Sequence, residues 1–325
     1  MNARLKGAAA SGFRGEHGIA LMMVLWVLVL LSIISMNFLA STRWGSASVR
    51  NFKEDTQAYY LALSGFQEAV NYLTADKDLS VDFLDGEGTF WIDSETPPIT
   101  GKHTTEDGEY EIRISDENGR ININFATEDR LAKLFSYCGV KQEDLNVVID
   151  SIMDWKDPDS EHHLSGAEDD YYEALPEPYK AKNSIFDVPE ELALVKGMKP
   201  EYLYGTGEGS IAVMPFITTF GKNMININTA SKEIMEILGL NVVEIETIFK
   251  QRNKDYGGFR FIPQQFSARG LNAVATQNFR IEVFAKMHHS PIASRVTGIL
   301  YRRPSAEGVK IQTIYWSERA EAVRG

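Results

Sequence analysis

Acidic side chains crowd one stretch of the chain, residues 150–177, in which Lys156 is the only strong base. Crowded carboxylates repel one another unless they are solvated or share a bound cation. Hard cations such as Ca²⁺ take about six to eight oxygen ligands at roughly 2.3–2.6 Å. The stretch is therefore either a solvated loop or a hard-cation site. Its carboxylates are Asp150, Asp154, Asp157, Asp159, Glu161, Glu168, Asp169, Asp170, Glu173 and Glu177.

Other chemistries find little support in the sequence. His162 and His163 lie within the acidic stretch, but no cysteine is nearby, so we interpret them as an exposed loop pair and not as zinc ligands. The chain contains no Gly-x-Ser-x-Gly, His-Glu-x-x-His or Walker sequence. We therefore do not expect an enzyme.

The composition is that of a foldable, acidic chain. Its 325 residues are 44% hydrophobic and 24% charged, and the net charge is −12. This length suffices for one large or two ordinary domains plus an anchor. Because negative charge repels phosphates, we do not expect broad contact with nucleic acid. The single cysteine, Cys138, cannot form an internal disulfide and gives no information about the redox compartment.

A predominantly apolar segment extends from Ile19 to Ala40. About 22 residues form a helix of roughly 33 Å, which matches the core of a bilayer. A secretory signal peptide would be cut after this segment, near Ser41. A prepilin-type leader would instead be cut between Gly18 and Ile19 and would leave the apolar segment in the mature protein. The segment before the cut is basic, with Arg4, Lys6 and Arg14.

Helical patterning continues beyond the apolar segment. Apolar residues recur at spacings of four and three, which predicts one stripe of an amphipathic helix. No proline precedes residue 74, so residues 19–73 can form one helix on the order of 80 Å long. A break near Gly45 or Gly65 would instead give two helices. The stripe consists of Tyr59, Leu63, Phe66, Val70 and Leu73.

The pattern of the remaining chain predicts strands on either side of a helical region. Glu109–Ser115 alternates with a period of two, which indicates a half-buried strand. Three more strands are predicted at 279–286, 294–303 and 309–317, and the last two form a hairpin through Pro304–Gly308. Residues 125–275 have helical patterning.

An internal repeat occupies the helical region. Ile121-Asn-Ile-Asn-Phe-Ala-Thr127 is matched by Ile225-Asn-Ile-Asn-Thr-Ala-Ser231. Each copy precedes an apolar-periodic helix, a glycine and a second helix. Thr127 and Ser231 are the predicted helix N-caps, each followed by an acidic first turn. The repeat predicts an insertion built from duplicated helical hairpins.

The repeated motif also resembles the helix-hairpin-helix modules of DNA-binding proteins, including membrane-anchored DNA-uptake receptors. Those hairpins use two glycines around an apolar residue to bring backbone amides to a phosphate. Each copy here keeps one glycine, Gly139 or Gly239, and the surroundings are acidic. We favour a packing module, with a membrane-anchored DNA-binding protein as an alternative.

Two segments carry a more specific resemblance. Gly18-Ile-Ala-Leu-Met-Met-Val-Leu-Trp-Val-Leu and Ala58-Tyr-Tyr-Leu-Ala-Leu-Ser-Gly-Phe-Gln-Glu-Ala resemble the K family of type II secretion minor pseudopilins. Most pilin-like subunits carry glutamate as the fifth residue after the leader, whereas Met23 stands there, as in that family. In other subunits this carboxylate pairs with the amine of a neighbour, and an unpaired charge in lipid is costly. The resemblance therefore implies a subunit at the filament tip, which needs no neighbour above it and initiates assembly.

The resemblance also implies processing, location and partners. A prepilin peptidase would cut between Gly18 and Ile19, and the new amine of Ile19 would be methylated. The protein would be anchored in the inner membrane with a periplasmic head and would support protein export across the outer membrane. Its partners would be I-type and J-type minor pseudopilins, with an H-type subunit and the major pseudopilin as further candidates. A minor pilin of a type IV pilus remains an alternative.

The acidic stretch shares in this resemblance. Asp154-Trp-x-Asp-x-Asp and Gly166-Ala-Glu-Asp-x-Tyr-Tyr are similar to runs in the K family, where calcium occupies this type of loop. The resemblance implies a structural Ca²⁺. The predicted ligands are Asp157, Asp159, Glu168, Asp169 and Asp170.

These predictions combine into an α+β fold. A long pilin-like N-terminal helix packs on an antiparallel sheet, and a large all-α domain of duplicated helical hairpins is inserted. The predicted segments are a leader (1–18), a transmembrane part of the stem helix (19–40), an amphipathic stem with the first strands (41–115), the inserted domain (116–275) and C-terminal strands (276–325).

Overall fold

The computed structural model describes residues 16–206, 209, 211–253, 255–288, 290–306 and 308–322. It divides into two compact units, residues 1–56 and 57–325. The basic leader residues Arg4, Lys6 and Arg14 lie outside the described residues. Helix α1, Glu16–Thr74, is one continuous helix without a break at Gly45 or Gly65, as the absence of proline predicts.

The described part of the first unit is α1 from Glu16 to Thr56. Its side chains from Ile19 to Leu39 are exposed, and this helix is long and apolar enough to cross a membrane. Within the described part of α1, Glu54 is the first acidic residue after Ile19. The protein therefore carries a candidate membrane anchor at its amino-terminal end.

The second unit contains a sheet and a helical insertion. Its helices are α2 (Glu128–Tyr137), α3 (Gln142–Lys156), α4 (Asp169–Glu173), α5 (Pro200–Tyr204), α6 (Lys232–Ile237), α7 (Val242–Gln251) and α8 (Gln264–Ser267), with 3₁₀ turns at Glu117–Gly119, Pro189–Leu194 and Met214–Phe216. Its strands are β1 (Phe83–Leu84), β2 (Phe90–Trp91), β3 (Gly101–Thr104), β4 (Gly108–Asp116), β5 (Ile121–Asn122), β6 (Ile217–Thr218), β7 (Ile225–Asn226), β8 (Leu271–Ala273), β9 (Asn278–Met287), β10 (Ile292–Ser305) and β11 (Gly308–Ala322).

Five strands form an antiparallel sheet in the order β11-β10-β9-β4-β3. Strand β4 pairs directly with β9, from Gly108 opposite Met287 to Asp116 opposite Phe279. Everything between these two strands is therefore an insertion into one sheet. The four predicted strands are confirmed as β4, β9, β10 and β11, and β10 and β11 form the predicted hairpin.

The carboxyl-terminal half of α1 packs on one face of this sheet. A side chain at Gly298 would lie 2.6 Å from the ring of Phe66, so glycine permits close approach of the helix to β10. Burying this apolar face against the strands stabilises both elements. The shared core consists of Ala62, Phe66, Ala69, Leu73, Ile112, Ile114, Ile281, Val283, Val296 and Leu300.

Buried polar groups join the insertion to the sheet. The guanidinium of Arg302 contacts the carboxylates of Asp76 and Asp82 and donates to the carbonyl of Thr276 (3.2 Å), at the end of the insertion. Burial raises the pKa of Asp82 to about 7. Asp116, at the end of β4, accepts hydrogen bonds from Asn226 (2.9 Å) and Thr229 (2.8 Å) of the second repeat. Because buried polar groups need specific partners, this network fixes where the insertion leaves the sheet.

The insertion contains the two predicted helical hairpins, α2–α3 and α6–α7. Thr127 and Ser231 cap their first helices through the backbone amides of Arg130 and Ile234, as predicted. The region also contains short strands, which the helical prediction did not include. Each copy is closed by a parallel pair, β5 with β6 and β7 with β8.

Candidate metal site in the first repeat

The second asparagine of each repeated motif anchors the segment that follows the hairpin. Asn124 accepts a hydrogen bond from the amide of Phe186 (2.8 Å) and donates to its carbonyl (3.0 Å). Asn228 makes the same pair of bonds with Phe259, at 2.7 and 2.8 Å. The motif therefore holds its own fold together, which agrees with a packing module.

A basic side chain completes each copy of the repeat. Lys156, at the end of α3, and Arg252, just after α7, donate to the carbonyls of the third and sixth motif residues. In the first copy the acceptors are Ile123 (3.3 Å) and Ala126 (3.1 Å), and in the second copy they are Ile227 (2.8 Å) and Ala230 (2.8 Å). Arg252 is fully buried, and burial lowers its pKa to about 9.

The two copies differ in the chain segment that connects this basic residue to the anchored phenylalanine. In the second copy the connection is the short segment 253–258. In the first copy it is the acidic segment 157–185. Most of the crowded carboxylates therefore belong to an insertion on a scaffold that the two repeats share, whereas Asp150 and Asp154 lie on α3 of that scaffold.

Helix α3 and the acidic segment bring three carboxylates together. Asp154 and Asp157 lie one turn apart at the end of α3, and Glu168 directly precedes α4. Asp154 and Glu168 are almost completely buried. Four of their buried oxygens have no hydrogen-bond partner among the described residues: Asp154 Oδ2, Asp157 Oδ1 and both Glu168 oxygens. Buried oxygens of this kind are incomplete without a cation or water.

The loop before α4 folds back onto α3 through its amides. His163 donates its backbone N–H to Asp154 Oδ1 (3.0 Å), and Ser165 donates to Asp150 Oδ2 (2.9 Å). The ring nitrogen Nδ1 of His163 also contacts Asp154 Oδ1. A Cβ atom at Gly166 would lie 1.8 Å from Asp154 Oδ2, so only glycine fits beside this carboxylate.

The electrostatics of the pocket follow from this crowding. Burial, together with the charges of Asp154 and Asp157, raises the pKa of Glu168 to about 7. Burial also raises the pKa of Asp157, with Asp159 and Asp154 contributing. The hydrogen bond to Asp154 raises the pKa of His163. The site therefore has an unfavourable excess of negative charge, which a cation would relieve.

The donor set fits a hard cation. Ligand atoms of Asp154, Asp157 and His163 all lie within 4.8 Å of one another, and Glu168 adds two buried oxygens. The carboxylate oxygens are ligands that Ca²⁺ accepts, and the buried cysteine, Cys138, is not among the clustered groups. Four oxygens and a ring nitrogen do not complete a calcium shell, so solvent would supply the remaining ligands.

The structure separates the five predicted ligands. Asp157 and Glu168 reach the pocket. Asp159 is exposed and accepts a bond from the amide of Glu161 (2.8 Å), although its charge is felt at Asp157. The other two have different partners. Asp169 accepts from the amide of Ala181 (2.9 Å) and pairs with Lys180 (3.3 Å), and Asp170 pairs with His162 (3.1 Å).

Asp154 is the pocket residue that the predicted ligand set omitted. A signal was present in the sequence, because Asp150, Asp154 and Asp157 follow spacings of four and three on a predicted helix. That spacing places all three carboxylates on one helix face. The three predicted stem positions, Gly18, Ile19 and Met23, all lie in α1, and the side chains of Ile19 and Met23 are exposed.

Comparisons with known proteins agree with this architecture. The family model "Type II secretion system (T2SS), protein K" matches residues 110–206. Type II secretion system protein K of Pseudomonas aeruginosa is 27% identical over 237 residues, which is 68% of each chain. The Aeromonas hydrophila protein K is 27% identical over 244 residues, 69% of this chain and 70% of the relative.

A solved structure shows the same fold. It is a chain of the GspK-GspI-GspJ complex from the type 2 secretion system of enterotoxigenic Escherichia coli, with a TM-score of 0.58 and 15% identity. The match covers 83% of this chain and 99% of that chain. The family model, the two relatives and this fold point to one family. In sequence and in fold, the chain is similar to type II secretion system protein K.

Proposed function

We propose that this protein is the tip subunit of a type II secretion pseudopilus, where it initiates assembly and supports protein export across the outer membrane. The observation that carries this proposal is the stem. From Ile19 to Ala40 the exposed surface of α1 is predominantly apolar, and no acidic residue follows Ile19 in α1 before Glu54. Met23 occupies the position at which other pilin-like subunits carry glutamate. A stem without this carboxylate offers nothing to pair with the amine of a subunit above it.

The insertion between β4 and β9 supports the same position. It adds a second core, larger than that of the pilin-like sheet, to the head of the molecule. Such a bulky head would collide with a subunit stacked above it. At the tip there is no such subunit. The proposed role is assembly and not catalysis, and the DNA-binding and type IV pilus alternatives are not favoured by the family match.

Processing and partners follow from this role. A prepilin peptidase would cut between Gly18 and Ile19, and the amine of Ile19 would be methylated. The stem would remain in the inner membrane, with the head in the periplasm. I-type and J-type minor pseudopilins are the first candidate partners, because the matching solved structure is a GspK-GspI-GspJ complex. An H-type subunit and the major pseudopilin are further candidates.

The test of the tip role is the substitution Met23→Glu. We expect the variant to fold and insert normally but to change the number or length of pseudopili, because the new carboxylate can pair with a neighbouring amine. Met22→Glu is the matched control, since it adds the same charge at the adjacent position. Native pseudopili in the Met23→Glu strain would contradict the proposal. Mass spectrometry of the mature amino terminus tests processing, and a start at or beyond Ser41 would contradict it.

We also propose that the carboxylates of the first repeat hold a structural Ca²⁺. Asp154, Asp157 and Glu168 would bind it, and the ion would neutralise them and join the end of α3 to the start of α4. Asp159, Asp169 and Asp170 remain predicted ligands from the resemblance. A chelator should lower the melting temperature of the protein, because a ligand that binds the folded state stabilises it. A melting temperature that chelation does not change would contradict this proposal.

A further inference from the structure

Lys196 lies beside the acid pocket, yet among the described residues its ammonium group binds backbone carbonyls and no carboxylate. Its Nζ donates to the carbonyls of Gly166 (2.8 Å) and Ser165 (3.3 Å). The same ammonium lies over the ring of Tyr171, 4.9 Å from its centre. A lysine near crowded acids would be expected to pair with one of them. Its contacts are therefore those of a residue that holds the backbone of the loop, and not those of an ion-pair partner.

Lys196 itself is held firmly by the core. It follows Val195, which is buried in the core of the insertion, and its backbone N–H donates to the hydroxyl of Tyr172 (3.2 Å). Tyr172 is fully buried and packs edge-on against Trp155 (5.2 Å between ring centres). The ammonium group thus extends from an ordered element towards the loop.

The loop is consequently fixed from two sides. Its amides at His163 and Ser165 are held by carboxylates of α3, and its carbonyls at Ser165 and Gly166 are held by Lys196. Gly166 lies directly against the carboxylate of Asp154, as His163 does. Holding Gly166 in place therefore holds the loop over the pocket.

We propose that Lys196 is a positioning residue of the metal site, which keeps the loop closed so that Asp154, Asp157 and Glu168 stay together before a cation binds. This inference rests on the proposed calcium site. Ordering a loop in advance reduces the entropy lost on binding and so raises affinity. The positive charge of Lys196 acts in the opposite direction, because it repels a cation. The sign of the change on removing Lys196 therefore identifies which effect dominates.

The test is a calorimetric titration of the full chain in detergent with Ca²⁺, comparing native protein with Lys196→Met. Loss of a residue that orients metal ligands typically weakens binding about 10- to 100-fold, and we expect about tenfold here. Lys196→Arg, which keeps a cationic donor, should recover most of the affinity. Lys199→Met is the matched control, because Lys199 pairs with Asp144 (2.6 Å) and not with the loop.

Each outcome decides the proposal. Weaker binding by Lys196→Met, with recovery by Lys196→Arg, supports it. Unchanged or tighter binding by Lys196→Met overturns the positioning role while leaving the calcium site intact. Absence of Ca²⁺ binding by the native chain overturns both.

A second measurement needs no variant. Amide hydrogen exchange in the calcium-free native chain should be slow at His163 and Ser165, because the loop is already closed. Exchange at the rate of an exposed loop would overturn the proposal, even if Lys196→Met failed to fold.

Discussion

The two repeats share a scaffold and differ in one connection. In each, an asparagine anchors a phenylalanine backbone, and a cation binds two carbonyls of the repeated motif. In the second repeat the connection is short and the cation, Arg252, is fully buried. In the first repeat the connection is long and acidic, and it folds onto the end of α3. The scaffold therefore sets the fold, whereas the inserted connection folds onto Asp154 of α3 and completes the site.

Removing the basic side chain of each repeat should have the largest effect on the free energy of unfolding, and the two repeats should respond unequally. Arg252→Met leaves two buried carbonyls without their donor, and each such loss costs about 1–3 kcal/mol, so we expect about 3 kcal/mol. Lys156→Met should cost about 1 kcal/mol, because Lys156 makes longer bonds and is less buried. The measurement is the free energy of unfolding in urea.

The control for these variants is Lys250→Met, on the exposed side of α7. It should change the free energy of unfolding by less than about 0.5 kcal/mol. Equal losses in Arg252→Met and Lys156→Met would show that the two cations are equivalent and would break the comparison.

Glycine substitutions should distinguish effects on the proposed metal site from effects on the shared scaffold. Gly166→Ala places a Cβ atom 1.8 Å from Asp154 Oδ2, so it should cost about 2 kcal/mol and abolish the rise in melting temperature with Ca²⁺. Gly258→Ala in the second repeat should also destabilise, because Gly258 has a φ of +76° and lies against Asn228. That variant should keep its response to Ca²⁺.

Gly86→Ala is the control for both glycine variants, since no atom lies within 4 Å of its added Cβ. It should leave both stability and the calcium response unchanged. A normal calcium response in Gly166→Ala would mean that the ion, if bound, does not use the Asp154 pocket.

The pH dependence of folding stability should be a smaller effect, and Glu168 of the first repeat should contribute to it. Burial and neighbouring carboxylates raise the pKa of Glu168 from 4.5 to about 7, so the folded state binds a proton that the unfolded state releases. This stability is fully present below the unfolded pKa and is lost as pH rises through the folded one. In chelator, stability should fall between about pH 5 and about pH 7.5 and then level off.

Two controls isolate this contribution. Glu168→Gln removes the titrating group, and saturating Ca²⁺ keeps it ionised in the folded state, so both should reduce the fall in stability with pH. Asp82, whose pKa is also raised to about 7, titrates equally in native and variant proteins, so the difference between their melting profiles reports Glu168 alone. Identical profiles would exclude Glu168 from the pocket.

Much of the fold could be predicted because its signals are local. Alternation over Glu109–Ser115 gave β4, the proline-free apolar stretch gave α1, and the residues before the hairpin helices gave their caps. The parallel pairs could not be predicted in this way. Ile121 pairs with Ile217 and Ile225 with Leu271, in strands too short to show a period.

For a similar reason, only part of the candidate site could be predicted from the sequence. Composition located the acidic segment, but it could not distinguish Glu168, whose oxygens are buried without partners, from Asp169, which pairs with Lys180. The sequence also did not indicate that Lys156 and Arg252 have equivalent roles. Both helices of the first hairpin are longer than their counterparts, so the two basic residues do not align along the sequence.

The most direct test of the central claim is equilibrium dialysis of the full chain in detergent against Ca²⁺, with the Asp154→Asn/Glu168→Gln double variant as comparison. If the first repeat uses its inserted connection to hold a cation, the native chain will retain Ca²⁺ saturably and the double variant will not. Failure of the native chain to retain Ca²⁺, or equal retention by both chains, would contradict the account.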